Sequence, residues 1–210
     1  MYTALLLRLL QCKSWTALCS TIILRLTEFR LPEGSESEIP FVAGGFLSLL
    51  QRSNCSQLTT LVVKSPTLGL QYTVISILKH TPSLINLTIY DAVPRSGDLD
   101  YLPIITPGFL RGLLVPDSLS LFGSSSIIVP KLRNLWLKAR GDTFDEGAFV
   151  DMVLSRWLPN GLEHSVYADL EELKFVDLLV VGRRVDKDVW NRLDGVGATG
   201  LRVRLLDGLE

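Results

Sequence analysis

A six-residue pattern recurs along the chain: Leu, two variable residues, Leu, one variable residue, then an apolar residue. It stands at Leu58-Thr-Thr-Leu61-Val-Val63, Leu84-Ile-Asn-Leu87-Thr-Ile89, Leu132-Arg-Asn-Leu135-Trp-Leu137 and Leu170-Glu-Glu-Leu173-Lys-Phe175. The apolar fourth and sixth positions alternate with variable residues, which is the period of a half-buried strand, and a stretch with helical apolar spacing follows each copy. A strand–helix unit this short cannot bury its own leucines. Units of this kind must stack, each covering the apolar face of the next.

Stacked Leu-x-x-Leu-x-apolar units are the mark of a leucine-rich repeat. The leading leucines (58, 84, 132 and 170) stand 26, 48 and 38 residues apart, whereas a regular array holds a period of about 20–29. The sequence therefore predicts an irregular α/β horseshoe, with parallel strands on the concave face and helices on the convex face. One domain spans residues 1–210. Leu5, Leu6, Leu9 and Leu10 sit at helical spacing, and Thr21–Phe29 is a strand with Ile22, Leu24 and Leu26 on one face, so residues 1–30 form a degenerate first repeat. Later helices run through Phe46–Leu50, through Val74–Leu78 to Lys79-His80, from an N-cap at Thr106-Pro107, and over Asp186–Leu193. Thr143-x-x-Glu146 reads as a capping box for the helix carrying Phe149, Val153 and Trp157. The Ser-rich stretch 116–130 reads as a flexible loop, and Leu201–Leu205 as the terminal strand.

Several function classes find no support. With 21 basic and 22 acidic residues the net charge is −1, so no bulk field favours nucleic acid or an anionic membrane. No run approaches the roughly 20 apolar residues of a membrane span. The apolar opening lacks a preceding basic region and is interrupted by Arg8, unlike a secretory signal. Cys12, Cys19 and Cys55 show no paired spacing and read as reduced thiols of a cytosolic or nuclear protein. The sequon matches at Asn54 and Asn86 are too short to carry weight, and the second lies within a predicted strand.

Catalytic signals are equally thin. Gly195-Val-Gly197-Ala-Thr-Gly200 matches the dinucleotide fingerprint, but that chemistry needs a strand before the glycines and a helix N-terminus after them. Here the order is reversed, and the stretch reads as a helix-to-strand loop. His80 and His164 belong to no metal spacing, and no nucleophile elbow frames a serine. Asp142, Asp145, Glu146 and Asp151 flank a helix start, where negative charge is favourable. The expectation is a non-enzyme with no metal and no cofactor.

The positive signal is the concave surface. If positions four and six point into the core, positions three, five and seven face outward. That places Thr60, Val62 and Lys64, then Asn86, Thr88 and Tyr90, then Asn134, Trp136 and Lys138, then Glu172, Lys174 and Val176 in adjacent columns, with Arg202 and Arg204 extending the surface. A tryptophan in such a column is the residue type most often dominant in protein binding. The partner class is another protein.

The order Leu-x-x-Leu-x-Ile, then Ile105-Thr-Pro-Gly-Phe-Leu110, then Val129-Pro-Lys-Leu-Arg-Asn-Leu135 resembles basidiomycete fungal F-box proteins. Phe149-Val-Asp-Met-Val-Leu-Ser-Arg-Trp-Leu-Pro159, Val185–Trp190 and Gly200–Arg204 are similar to the repeat region near their C-termini. The resemblance covers about Leu58 to Leu205. It implies a repeat domain that holds the substrate of a ubiquitin ligase. In that family an N-terminal F-box docks the cullin–RING adaptor. Here the single candidate opening, Leu31-Pro-Glu33, is followed by Gly-Ser-Glu-Ser-Glu in place of apolar spacing, so adaptor docking would require an F-box outside this chain. The alternative is a structural or orphaned repeat fragment with no specific partner.

Overall fold

Six strands lie side by side in chain order, every neighbour parallel. They are β1 (Glu28–Arg30), β2 (Thr60–Lys64), β3 (Asn86–Tyr90), β4 (Asn134–Arg140), β5 (Phe175–Val181) and β6 (Arg202–Gly208). Helix α1 (Leu70–Lys79) returns the chain from β2 to β3, α2 (Pro107–Leu113) from β3 to β4, and α3 (Glu146–Arg156) from β4 to β5. Helix α4 (Lys187–Trp190), extended by a 3-10 turn at Asn191–Leu193, joins β5 to β6. The computed structural model describes residues 28–30, 47–48, 50–51, 57–64, 70–91, 103–116, 127–157, 169–184, 186–194 and 202–208. The expected N-terminal helix, most of the first strand, the serine-rich residues 117–126, the glycine motif 195–200, His164 and the three cysteines lie outside the described residues.

The α/β class follows from the alternation in the motif. Leu61 and Val63, Leu87 and Ile89, Leu135 and Leu137, and Val176 and Leu178 are all buried, and they share one core with the inner faces of the helices. β3 and β4 alternate strictly between buried and half-buried residues. A parallel strand needs such a crossover helix, because a tight turn cannot bring the chain back in the same direction.

Helix starts are set by short polar side chains. Thr106 Oγ1 accepts from Phe109 N at 3.1 Å, and Pro107 occupies the first helical position, where a missing N–H is harmless. At α3 the expected Thr143–Glu146 capping box is not formed. Asp145 is the N-cap, its Oδ1 accepting from Ala148 N at 2.9 Å, because its short carboxylate reaches that amide directly. Glu146 is buried and serves a different purpose. Its Oε2 accepts from Trp190 Nε1 at 2.6 Å and from Asp186 N at 2.9 Å, fastening α4 to the start of α3. Arg183 Nη2 stands 2.9 Å from Glu146 Oε1 as an ion pair without hydrogen-bond geometry, and it donates to Phe144 O instead.

Stretch 116–130 is not a free loop at its far end. Val129 is 1% exposed and joins the core, with Ile128 packed against it. The reason is Arg156, the last residue of α3, which is fully buried. Its guanidinium donates to Leu113 O (2.6 Å), Ile128 O (2.6 Å) and Val129 O (3.1 Å), tying the end of α2 to the approach to β4. Burial lowers its pKa to about 10, so it remains a cation at neutral pH. Val129 has a φ of 46°, a conformation that β-branched residues seldom adopt, and its carbonyl is held by that cation.

The fifth repeat departs from the expected frame. The strand is Phe175–Val181, and Asn134, Leu135 and Trp136 pair with Phe175, Val176 and Asp177. The working motif is thus Leu173-Lys-Phe-Val176-Asp-Leu178, three residues later than Leu170-Glu-Glu-Leu173-Lys-Phe175. A shift by an odd number exchanges the two faces of a strand. The expected frame, continued with period two, would put Asp177 in the apolar core, and an uncompensated buried carboxylate is far more costly than an exposed phenylalanine. The observed frame buries Val176, Leu178 and Val180 instead.

Backbone hydrogen bonds report the same frame. Thr59 O accepts from Ile85 N and Asn86 N, Ile85 O from Arg133 N and Asn134 N, and Arg133 O from Lys174 N and Phe175 N. Lys174 O then accepts from Arg202 N. Strands β3, β4 and β5 are entered through the same fork, and the aligned leucines are Leu58, Leu84, Leu132 and Leu173.

Candidate functional site

The sheet face opposite the helices carries two described columns. The third-position column runs Glu28, Thr60, Asn86, Asn134, Phe175, Arg202, and the fifth-position column runs Arg30, Val62, Thr88, Trp136, Asp177, Arg204. Tyr90 and Lys138 are partners in the seventh-position column, beside Lys64.

The columns are built from hydrogen bonds at one end and rings at the other. Asn86 Nδ2 donates to Thr60 Oγ1 at 3.0 Å, and Asn134 Nδ2 donates to Asn86 Oδ1 at 2.7 Å. Parallel pairing in register stacks identical side chains about 4.8 Å apart, so one amide can reach the next. The ladder stops at β5, where Phe175 stands in the column. Its ring packs on Trp136, with centroids 5.3 Å apart and planes at 43°. Both rings are half-buried. Beyond them Arg204 Nη2 donates to Asp177 Oδ2 across the β5–β6 pair. That hydrogen bond, and the carboxylate charge behind it, raise the Arg204 guanidinium above its ordinary pKa.

Most of the residues expected on this face are brought together there. Thr60, Asn86, Thr88, Tyr90, Asn134, Trp136 and Lys138 occupy the columns assigned to them, and Arg202 and Arg204 extend them. Four expectations need correction. Val62 is in its column but only 8% exposed, so it offers little surface there. Val176 points into the core. Glu172 and Lys174 precede β5 instead of lying on it, as a consequence of the shifted frame. Lys64 lies in β2, and its side chain is outside the described residues.

Phe175 and Asp177 are the members of the face that the motif frame concealed. Extending the alternation two residues past Phe175 would have found them, since it meets Asp177 on the inward side.

The acidic residues around α3 are each engaged separately. Asp142 pairs with Arg140, Asp151 with Arg192 (2.7 Å), Asp145 caps the helix, and Glu146 binds Trp190. Among the described residues no cluster of His, Cys, Asp and Glu is arranged to hold a metal ion. His80 is exposed, with Nε2 3.3 Å from Gln51 Nε2. No helix of the described residues is long and apolar enough to cross a membrane. The arrangement offers an aromatic step, an amide ladder and charged side chains on one sheet face. Compared with family models, with curated proteins and with solved structures, the chain matches none.

Proposed function

We propose that this chain is an irregular leucine-rich repeat horseshoe whose concave strand face recognises another protein without chemical conversion. The observation that carries the reading is the Trp136–Phe175 pair, held on adjacent strands between an amide ladder and strand β6 with Arg202 and the Asp177-paired Arg204. Large rings with few rotors, fixed on a rigid sheet, lose little entropy when a partner covers them. The backbone fork repeated at the entries to β3, β4 and β5 supports the repeat assignment.

By its resemblance to basidiomycete F-box proteins, the domain is the substrate-holding part of a ubiquitin-ligase receptor of the cytosol or nucleus. A cullin–RING adaptor would then be engaged through an F-box outside this chain. The second reading, a structural repeat fragment without a specific partner, is favoured by one observation: both rings are half-buried against each other and thereby already share part of their area.

Affinity capture from native extract separates the two. Wild type and a Trp136→Ala/Phe175→Ala variant of native circular dichroism are compared by mass spectrometry. A protein retained by wild type and lost from the variant is the expected result, and co-purifying ligase components would support the receptor role. Identical captures from the two baits would leave only the structural reading.

A further inference from the structure

The sign of the charges around the aromatic step deepens that reading, and the inference rests on it. The chain as a whole carries −1. Around Trp136 and Phe175 the balance is reversed. Arg202 and Lys174 are exposed and Lys138 is half-buried, and among the described residues none of the three is paired with a carboxylate. Arg204 and Asp177 neutralise each other, as do Arg133 and Glu171. Among the described residues on the approach to β5, Asp169 and Glu172 are carboxylates outside any ion pair. Among the described residues, three unpaired cations against two unpaired anions, both of which precede β5, leave a local excess of positive charge beside Trp136 and Phe175.

We infer that the face takes an extended acidic segment of a partner protein, with an apolar side chain seated on the Trp136–Phe175 step and carboxylates toward Lys138 and Arg202. The two cations lie on opposite sides of the step. Lys138 is two residues along β4 from Trp136, about 7 Å away, and Arg202 is one strand beyond Phe175, about 5 Å away. A peptide with carboxylates on both sides of a central apolar residue meets both. The amide ladder Thr60–Asn86–Asn134 continues the surface with hydrogen-bonding groups that suit peptide backbone. The rings supply the anchor, while the cations select the sign of the partner and speed the encounter.

The test uses the full chain and three synthetic peptide pools of about ten residues, a length that spans the strands concerned. The first pool has Asp and Glu on both sides of a fixed Leu or Trp, the second has Lys in place of the acids, and the third has the acids with Ser in place of the anchor. A single-stranded oligothymidine serves as an anionic control. Retention is compared at about 50 and about 150 mM salt. The expected result is retention of the first pool over both others by about tenfold, weakened at the higher salt. Lys138→Glu/Arg202→Glu, which alters accessible side chains and leaves the core untouched, should reverse the preference toward the Lys pool. Trp136→Ala should abolish it.

Equal retention of acidic and basic pools overturns the inference, as does retention indifferent to both variants. Trp136-dependent retention of oligothymidine with no pool retained also overturns it, in favour of a nucleic acid. The extract capture keeps the two readings apart. A protein lost with the ring variant but still held by the charge-reversed variant would leave partner recognition standing and remove the acidic segment.

Discussion

Strands β2 to β4 and strand β5 obey the same architecture through different sequence logic. In β2, β3 and β4 the leucine motif occurs in one frame, and of the residues between its apolar positions Val62 alone is buried. At β5 two frames overlap, Leu170-x-x-Leu173-x-Phe175 and Leu173-x-x-Val176-x-Leu178, and Leu170 and Leu173 are both buried. The apolar pattern does not choose between them. The choice falls to Asp177, whose carboxylate is tolerated beside Arg204 and not among Leu137, Phe149 and Val153. A repeat is therefore phased by where its charges are allowed to go as much as by where its leucines are needed.

The sharpest way to break this comparison is a pair of adjacent substitutions. Val176→Asp places a carboxylate in the core beside Leu135 and should destabilise the protein by more than about 4 kcal/mol, enough to unfold the array. Phe175→Asp should lower stability by only about 1 kcal/mol, the worth of the lost contact with Trp136. Denaturant midpoints measured on both variants decide the matter, since the earlier frame requires the opposite order. Leu135→Asp, at the equivalent position of β4, should behave like Val176→Asp.

A second prediction concerns what delivers the chain to β5 in the right frame. Arg156 O accepts from Leu173 N, and the Arg156 side chain anchors three further carbonyls. Arg156→Met keeps the bulk and strands those carbonyls, so stability should fall by about 3 kcal/mol, at about 1 per unsatisfied group. The pH dependence has a definite sign. The folded-state pKa is lowered to about 10, below its value in the unfolded chain, so between the two the unfolded state binds more protons and stability rises with pH. Below that window the group is charged in both states and contributes no slope. Wild type should lose less stability above pH 10 than Arg156→Met does, as read from denaturation curves of both proteins; parallel curves would show that the guanidinium is not desolvated.

How much could be read from the sequence divides along the same line. The parallel α/β order, the Thr106 cap, the last helix and the columns through Asn86, Asn134 and Trp136 followed from local alternation and short-range chemistry. Local signals are legible because the atoms that interact are close in sequence. What was not legible depended on distant partners. Glu146 passes over the nearby amides of its own helix for Trp190, 44 residues on. Val129 is ordered by Arg156, 27 residues on. Phe175 belongs to the outer sheet face only because Asp177 and Arg204 settle the register.

The smallest effect sharpens the comparison most, because it exchanges the two kinds of column. Asn86 is the middle rung of the amide ladder, donating to Thr60 and accepting from Asn134. Asn86→Ala removes both bonds on a half-exposed face where water replaces them, so the loss should be about 1 kcal/mol. Phe175→Asn extends the ladder by one rung, from Asn134 to the new amide, and removes the ring from Trp136. An amide hydrogen bond on this face and a tilted ring contact are each worth about 1 kcal/mol, so the exchange should leave stability within about 1 kcal/mol of wild type while abolishing partner capture. A large loss of stability would mean that Phe175 holds the fold together instead of presenting itself to a partner. Preserved stability with preserved capture would mean that recognition resides in the ladder and its flanking charges, with the rings as bystanders.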